Sequence, residues 1–139
     1  MTDEKVSPAQ LTRIQKALGT VPFAELIGLE LEEVGHGTAT LAFTVREKLM
    51  QGQGRVHGGA IASLIDSATA FAILSLLKPD ERVTTVDLTI SYLRPVTAGR
   101  VRAVAKVVRG GKRLFVVSAE VFTDDGNLAS TALSTYIRV

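Results

Sequence analysis

Apolar and polar positions follow two periods along the chain. From Thr38 to Val45, Ala39, Leu41, Phe43 and Val45 alternate with Thr38, Thr40, Ala42 and Thr44, the period of a half-buried strand. Leu29 to Val34 precedes this run across Gly35-His36-Gly37, so the pair reads as a hairpin. Four more strands are predicted at Arg82 to Leu93, Arg100 to Arg109, Arg113 to Thr123 and Leu128 to Val139. Their separators are the turn sequences Arg94-Pro95, Ala98-Gly99, Gly110-Gly111 and Asp124-Asp125-Gly126-Asn127. In the first, strict alternation puts Thr85, Asp87, Thr89 and Ser91 on one face and Val86, Leu88, Ile90 and Tyr92 on the other.

The helical period predicts a helix over Ser7 to Leu18, with Ser7 as N-cap, Pro8 at its first position and Gly19 just past its end. A short helical turn follows at Phe23 to Leu26, and Glu47 to Val56, with Gly52 and Gly54, reads as a loop. The long helix begins near Gly58, runs to about Leu77 and is ended by Lys78-Pro79-Asp80. It is apolar enough to raise the question of a membrane, yet Asp66 lies inside it and strands follow at once, so it is expected to be a buried helix. A hairpin, one long apolar helix and a meander of strands predict an α+β fold, an antiparallel sheet curled around a central helix. No repeat or linker divides the 139 residues, which gives one domain over 1–139, with 1–20 as N-terminal tail and helix.

At about 100° per residue, Ile61, Leu64, Ile65, Ala68, Phe71 and Ala72 form the stripe that faces the sheet. Gly59, Ser63, Asp66 and Ala70 lie opposite, joined by Ile73 and Leu77, so this second face is expected to bury against another copy of the chain. Asp66 buried without a cation would be a better base or nucleophile than a surface aspartate; a structural acid bonding a backbone group or hydroxyl has the same pattern.

Gly52-Gln53-Gly54-Arg55-Val56-His57-Gly58-Gly59 crowds glycine at the start of that helix, where backbone N–H groups lack intrahelical partners. Such amides suit an oxyanion, a phosphate, or simply a tight turn. No GxSxG elbow, P-loop or GxGxxG fingerprint is present, and His57, Ser63 and Asp66 on one helix do not make a nucleophilic triad. Helical rise separates Gly58 from Asp66 by about 12 Å, too far for both to act on one acyl carbon. Two such helices antiparallel across a two-fold axis would bring the glycine end of each to the acid of the other.

Composition removes several classes. Sixteen basic against fourteen acidic residues leave a net charge of +2, which gives nucleic-acid binding no support. The absence of cysteine excludes disulfides and thiolate nucleophiles and fits a reducing cytoplasm. His36 and His57 are too few for a histidine metal cage, so no metal is expected. The polar stretch Met1 to Pro8 lacks the apolar segment of a secretory signal.

His57-Gly58-Gly59-Ala60-Ile61-Ala62-Ser63-Leu64-Ile65-Asp66-Ser67-Ala68 resembles the HGG…D helix of hotdog-fold acyl-CoA thioesterases of the phenylacetic-acid-degradation (PaaI-like) branch. The likeness extends over Pro22-Phe23 to Gly28, Val34-Gly35 and Thr85 to Pro95, and so from Pro22 to the C-terminus. It implies hydrolysis of acyl-CoA without metal or cofactor, in homodimers that pair into homotetramers. It gives Asp66 the role of base or nucleophile, Gly58 that of the amide polarising the carbonyl, His57 a supporting role in the loop, and Thr85 that of a hydroxyl orienting water.

Gln51 stands where the family often has asparagine, six residues before the motif histidine. Gly59 and Arg55 are placed with the substrate, and the Gly111-Lys112-Arg113 turn matches a glycine-plus-basic turn beside the CoA phosphates. Phe23, Leu26 and Leu49 are candidates for the acyl pocket. Two alternatives remain at this point: a hotdog enoyl-CoA hydratase and a non-catalytic acyl-CoA or acyl-carrier binding protein.

Overall fold

The computed structural model describes residues 5–139. The first helix, α1 (Pro8–Gly19), begins at a capping box: Ser7 Oγ accepts from the Gln10 amide at 3.2 Å while the Gln10 side chain accepts from the Ser7 amide at 2.9 Å. α2 (Pro22–Ile27) follows, then β1 (Glu30–Gly35), β2 (Thr38–Thr44) and, after a 3₁₀ turn at Glu47–Leu49, α3 (Gly58–Leu74). The rest is β3 (Val83–Tyr92), β4 (Arg100–Gly110), β5 (Leu114–Phe122) and β6 (Leu128–Arg138).

One antiparallel sheet in the order β1-β2-β4-β5-β6-β3 curls around α3, the α+β hotdog arrangement expected. Leu41, Phe43, Val101, Val117 and Val121 alternate inward with Ala103, Ala105 and Ala119, all buried, and this mixture of large and small side chains lets α3 pack closely on the strands. The strand order corrects one expectation: only β4, β5 and β6 form a meander. β3 leaves the end of α3 for the far edge beyond β6, because α3 crosses the concave face before the chain re-enters the sheet.

α1 extends through Gly19 and stops at Thr20, one residue later than its glycine signal. α3 stops at Leu74 rather than about Leu77. The Leu76 and Leu77 amides turn back three residues, to the Ile73 and Leu74 carbonyls, and the Ser75 hydroxyl accepts from the Gly37 amide at 2.7 Å, tying the helix end to the β1–β2 turn.

Two further corrections bear on the site. Ile73 and Leu77 do not await another copy: at 0% and 5% exposed they are buried within the chain. α1 covers this end of the stripe, held there by Gln10 Nε2 on the Ser75 carbonyl and by the Arg13 guanidinium on the Leu77 carbonyl. The alternation of β3 is also broken by a bulge at Val86, since Thr85 pairs with Tyr136 but Asp87 with Thr135. Asp87 and Thr85 therefore lie on opposite faces; Thr85 joins Leu88, Ile90 and Tyr92 on the helix side, and Val86 is exposed. No helix among the described residues is long and apolar enough to cross a membrane.

Candidate active site

At the start of α3 every backbone amide but one has an acceptor. His57 N–H donates to the Leu49 carbonyl, Ala60 N–H to the His57 carbonyl, and Gly59 N–H to His57 Nδ1 at 2.8 Å, which makes His57 the N-cap. Because Nδ1 accepts, the proton of the neutral ring belongs on Nε2. The Gly58 N–H alone is left without an acceptor among the described residues, at the positive end of the helix dipole.

Gly58 is held from the other side by Tyr92, whose hydroxyl donates to the Gly58 carbonyl at 2.7 Å. A Cβ on Gly58 would stand in ordinary contact with that ring at 3.4 Å, whereas one on Gly59 would stand 2.9 Å from His57 Nδ1, so at Gly59 the cap needs glycine for closeness rather than for φ. Gln51, Arg55, Gly58, Ile61 and Tyr92 line one open depression of about 310 Å³. The Gln51 backbone is fixed by its N–H, which donates to the Arg55 carbonyl at 2.8 Å.

Eight residues along α3, the half-buried Asp66 meets a different set of groups. Its Oδ1 accepts from Thr85 Oγ1 at 2.9 Å and from the Tyr136 hydroxyl at 3.1 Å, while Oδ2 has no partner among the described residues. Tyr136 is buried, and its oxygen also lies 2.7 Å from Thr69 Oγ1 and from the Asp66 carbonyl. Burial, reinforced by the Asp66 charge, pushes the Tyr136 phenol up to about 12, so it stays a donor at any physiological pH. Thr85 thus touches the acid directly, and the bulge at Val86 is what turns it there.

The two groups sit apart in one chain. Gly58, Gln51, Arg55 and Tyr92 lie at the C-terminal end of β3; Asp66, Thr85 and Tyr136 lie toward its N-terminal end, with Gly58 and Asp66 about 12 Å apart along α3. The turn carrying Gly111, Lys112 and Arg113 is at the Asp66 end, since Leu114 pairs with Ile137 and Phe115 with Tyr136. Lys112 and Arg113 are exposed. Of the three candidates for the acyl pocket, Leu49 is core, whereas Phe23 and Leu26 are 49% and 67% exposed on α2.

Tyr92 and Tyr136 were not among the candidate residues. They are the chain's only tyrosines, and a phenol at an inward-facing strand position is the signal that names them, because its hydroxyl must find a partner beneath the sheet. Among the described residues no three histidine, aspartate or glutamate side chains come together as a metal site.

Residues 53–130 match the model of the thioesterase superfamily. A protein of Saccharolobus solfataricus provisionally named an esterase is 32% identical over 127 residues, covering 91% of this chain and 84% of that one. The medium/long-chain acyl-CoA thioesterase YigI of Salmonella typhimurium is 32% identical, covering 84% of this chain and 85% of its own. Among solved structures, a variant of the phenylacetic acid degradation protein PaaI of Thermus thermophilus superposes with a TM-score of 0.79 at 31% identity, over 86% of this chain and all of that one.

Proposed function

The chain belongs to the thioesterase superfamily, and from that premise we propose that it hydrolyses acyl-CoA thioesters to a free acid and CoA in a site completed by two copies of the chain. One observation carries the reading: a helix-start amide without an acceptor and a carboxylate with one oxygen unbound stand in the same chain, too far apart to serve one carbonyl. The acyl-CoA thioesterase name of a relative with 32% identity supports the substrate class.

In this reading the thioester carbonyl oxygen accepts from the Gly58 N–H of one protomer, which stabilises the charge that develops there. Asp66 of its partner takes a proton from water through Oδ2; the water oxygen bonds to the acyl carbon, the C–S bond breaks, and the CoA sulfur is protonated as the acid leaves. Direct attack by Asp66, giving an anhydride that water then opens, is the covalent variant of the same site. Oxygen-18 from labelled water entering Asp66 in a single turnover distinguishes the covalent route.

Thr85 and Tyr136 hold Asp66, Tyr92 and His57 hold the glycine turn, and Gln51 and Arg55 contact substrate beside Gly58 with Gly59 leaving room for it. Gly111, Lys112 and Arg113 serve the CoA phosphates at the Asp66 end. Water, a carboxylate and an amide suffice for this chemistry, so the reaction we propose needs no metal or cofactor. A single domain in the cytoplasm, acting as a homodimer or a pair of dimers, completes the reading.

The second copy has an obvious place. Among the described residues β3 pairs only with β6, leaving its other edge open along ten residues that include exposed Val86. Two such edges paired antiparallel about their midpoints set the Thr85 end of each beside the Tyr92 end of the other. Thiol release from a panel of acyl-CoAs by the purified protein, with Asp66→Asn in parallel, tests the proposal. Turnover that is lost in the variant is the expected result; no thiol release from any acyl-CoA contradicts it.

A further inference from the structure

Between α1 and the C-terminal half of α3 lies a groove of about 420 Å³ that the catalytic groups leave unused. Its floor is Ala70, Phe71 and Leu74 of α3, its cover Ile14 and Ala17 of α1, and Val83 of β3 closes one side. This volume is that of a small-molecule site, and its wall between α1 and α3 is predominantly apolar. Two contacts fix its position relative to the acid. Ala70 is one helical turn beyond Asp66 on the same face, and Val83 shares an inward face with Thr85, which bonds Asp66 at 2.9 Å.

The far end is closed by polar groups. Arg13 donates to the Leu77 carbonyl, and Lys78, Glu81 and Arg82 stand around it. From Ala70 to Leu77 the floor is about 10 Å long, which is the reach of an extended aliphatic chain of roughly eight carbons.

Resting on the thioesterase reading, we propose that this groove receives the distal aliphatic tail of the acyl group cleaved at Asp66, and that α1 sets the chain length accepted. α1 lies outside residues 53–130, so the gauge is separate from the part of the chain that matches the superfamily. Along Ile14, Ala17, Ala70, Phe71 and Leu74 each methylene of a straight chain gains burial.

Two full-length variants test this. Ala17→Trp fills the groove, and the ratio of octanoyl-CoA to acetyl-CoA kcat/KM is expected to fall about tenfold or more. Val21→Trp, at an exposed position on the groove's lining, gives a chain otherwise without tryptophan a single fluorophore. Its emission is expected to shift and saturate with octanoate and to stay constant with acetate.

An unchanged ratio in a folded Ala17→Trp, or a Val21→Trp emission indifferent to octanoate, overturns the proposal. That second outcome is also the one expected if another protein segment fills the groove. Should the wild-type protein cleave no acyl-CoA, the thioesterase reading fails while the octanoate titration still decides whether the groove binds an aliphatic tail. The same titration decides if Ala17→Trp does not fold.

Discussion

Asp66 is asked to hold a proton briefly while two hydroxyls hold one of its oxygens still, and that division makes its neighbours testable separately from itself. Asp66→Asn retains the shape and the acceptor oxygen but cannot take a proton, so kcat is expected to fall at least about 100-fold in a thiol-release assay, with the circular-dichroism spectrum unchanged. Tyr136→Phe removes one hydroxyl that serves Thr69 and Asp66 together. It is expected to cost about 1–3 kcal/mol in urea unfolding, because the partners it leaves are at least partly buried.

The same phenol gives a pH signature. Its native value of about 12 lies above the ordinary value of about 10, so the proton is bound more tightly in the folded state. The stability this contributes is complete below pH 10 and is lost as the pH rises from about 10 to about 12; the stability difference between wild type and Tyr136→Phe should shrink in that interval. Asp66 and the glycine turn were legible as candidates from residue types and spacing. The two tyrosines were not, because what marks them is the direction of a strand side chain, and a bulge decided that direction in β3.

At the scale of elements, the hairpin, the long helix and every strand were legible within a few residues, since period and turn chemistry carry them. Two features were not. The bulge at Val86 reverses the face of every β3 residue on one side of it, and nothing in an alternating sequence announces an extra residue in the ladder. Its consequence is chemical: Thr85→Val, isosteric but without the hydroxyl, should lower kcat by about tenfold with little change in KM, because the change falls on the acid and not on substrate contacts.

The cover of α3 by α1 was also missed, since Ile73 and Leu77 on the face of Asp66 suggest an open stripe until the N-terminal helix is seen lying on it. Ile14, at 1% exposure, is the buried residue of α1. Ile14→Ala is expected to destabilise the protein by about 2–5 kcal/mol in urea unfolding.

For the whole molecule, the sheet order is what separates the two half-sites and also what offers a way to join them. β3 at the sheet edge carries Tyr92 against the glycine turn at one end and Thr85 against Asp66 at the other. A second copy could be argued from helical rise once both ends of the pair Gly58 and Asp66 are taken as catalytic, but the edge proposed to serve it could not be read from the sequence, which suggested a simple meander. A charge on that edge should act on assembly before it acts on folding: Val86→Asp, at an exposed position, is expected to shift the protein toward monomer in sedimentation and to lower activity in proportion.

Mixing two inactive variants tests the composite site most directly. Asp66→Asn lacks the base and Gly58→Pro, at the first position of α3 where proline is tolerated, lacks the amide N–H, so neither homodimer should cleave an acyl-CoA. After co-expression or unfolding and refolding together, half the dimers are mixed and each holds one intact pairing of Asp66 with Gly58; activity is expected to return to about a quarter of wild type. A mixture that forms mixed dimers and remains inactive would mean that each active site is built within one chain, contrary to this account.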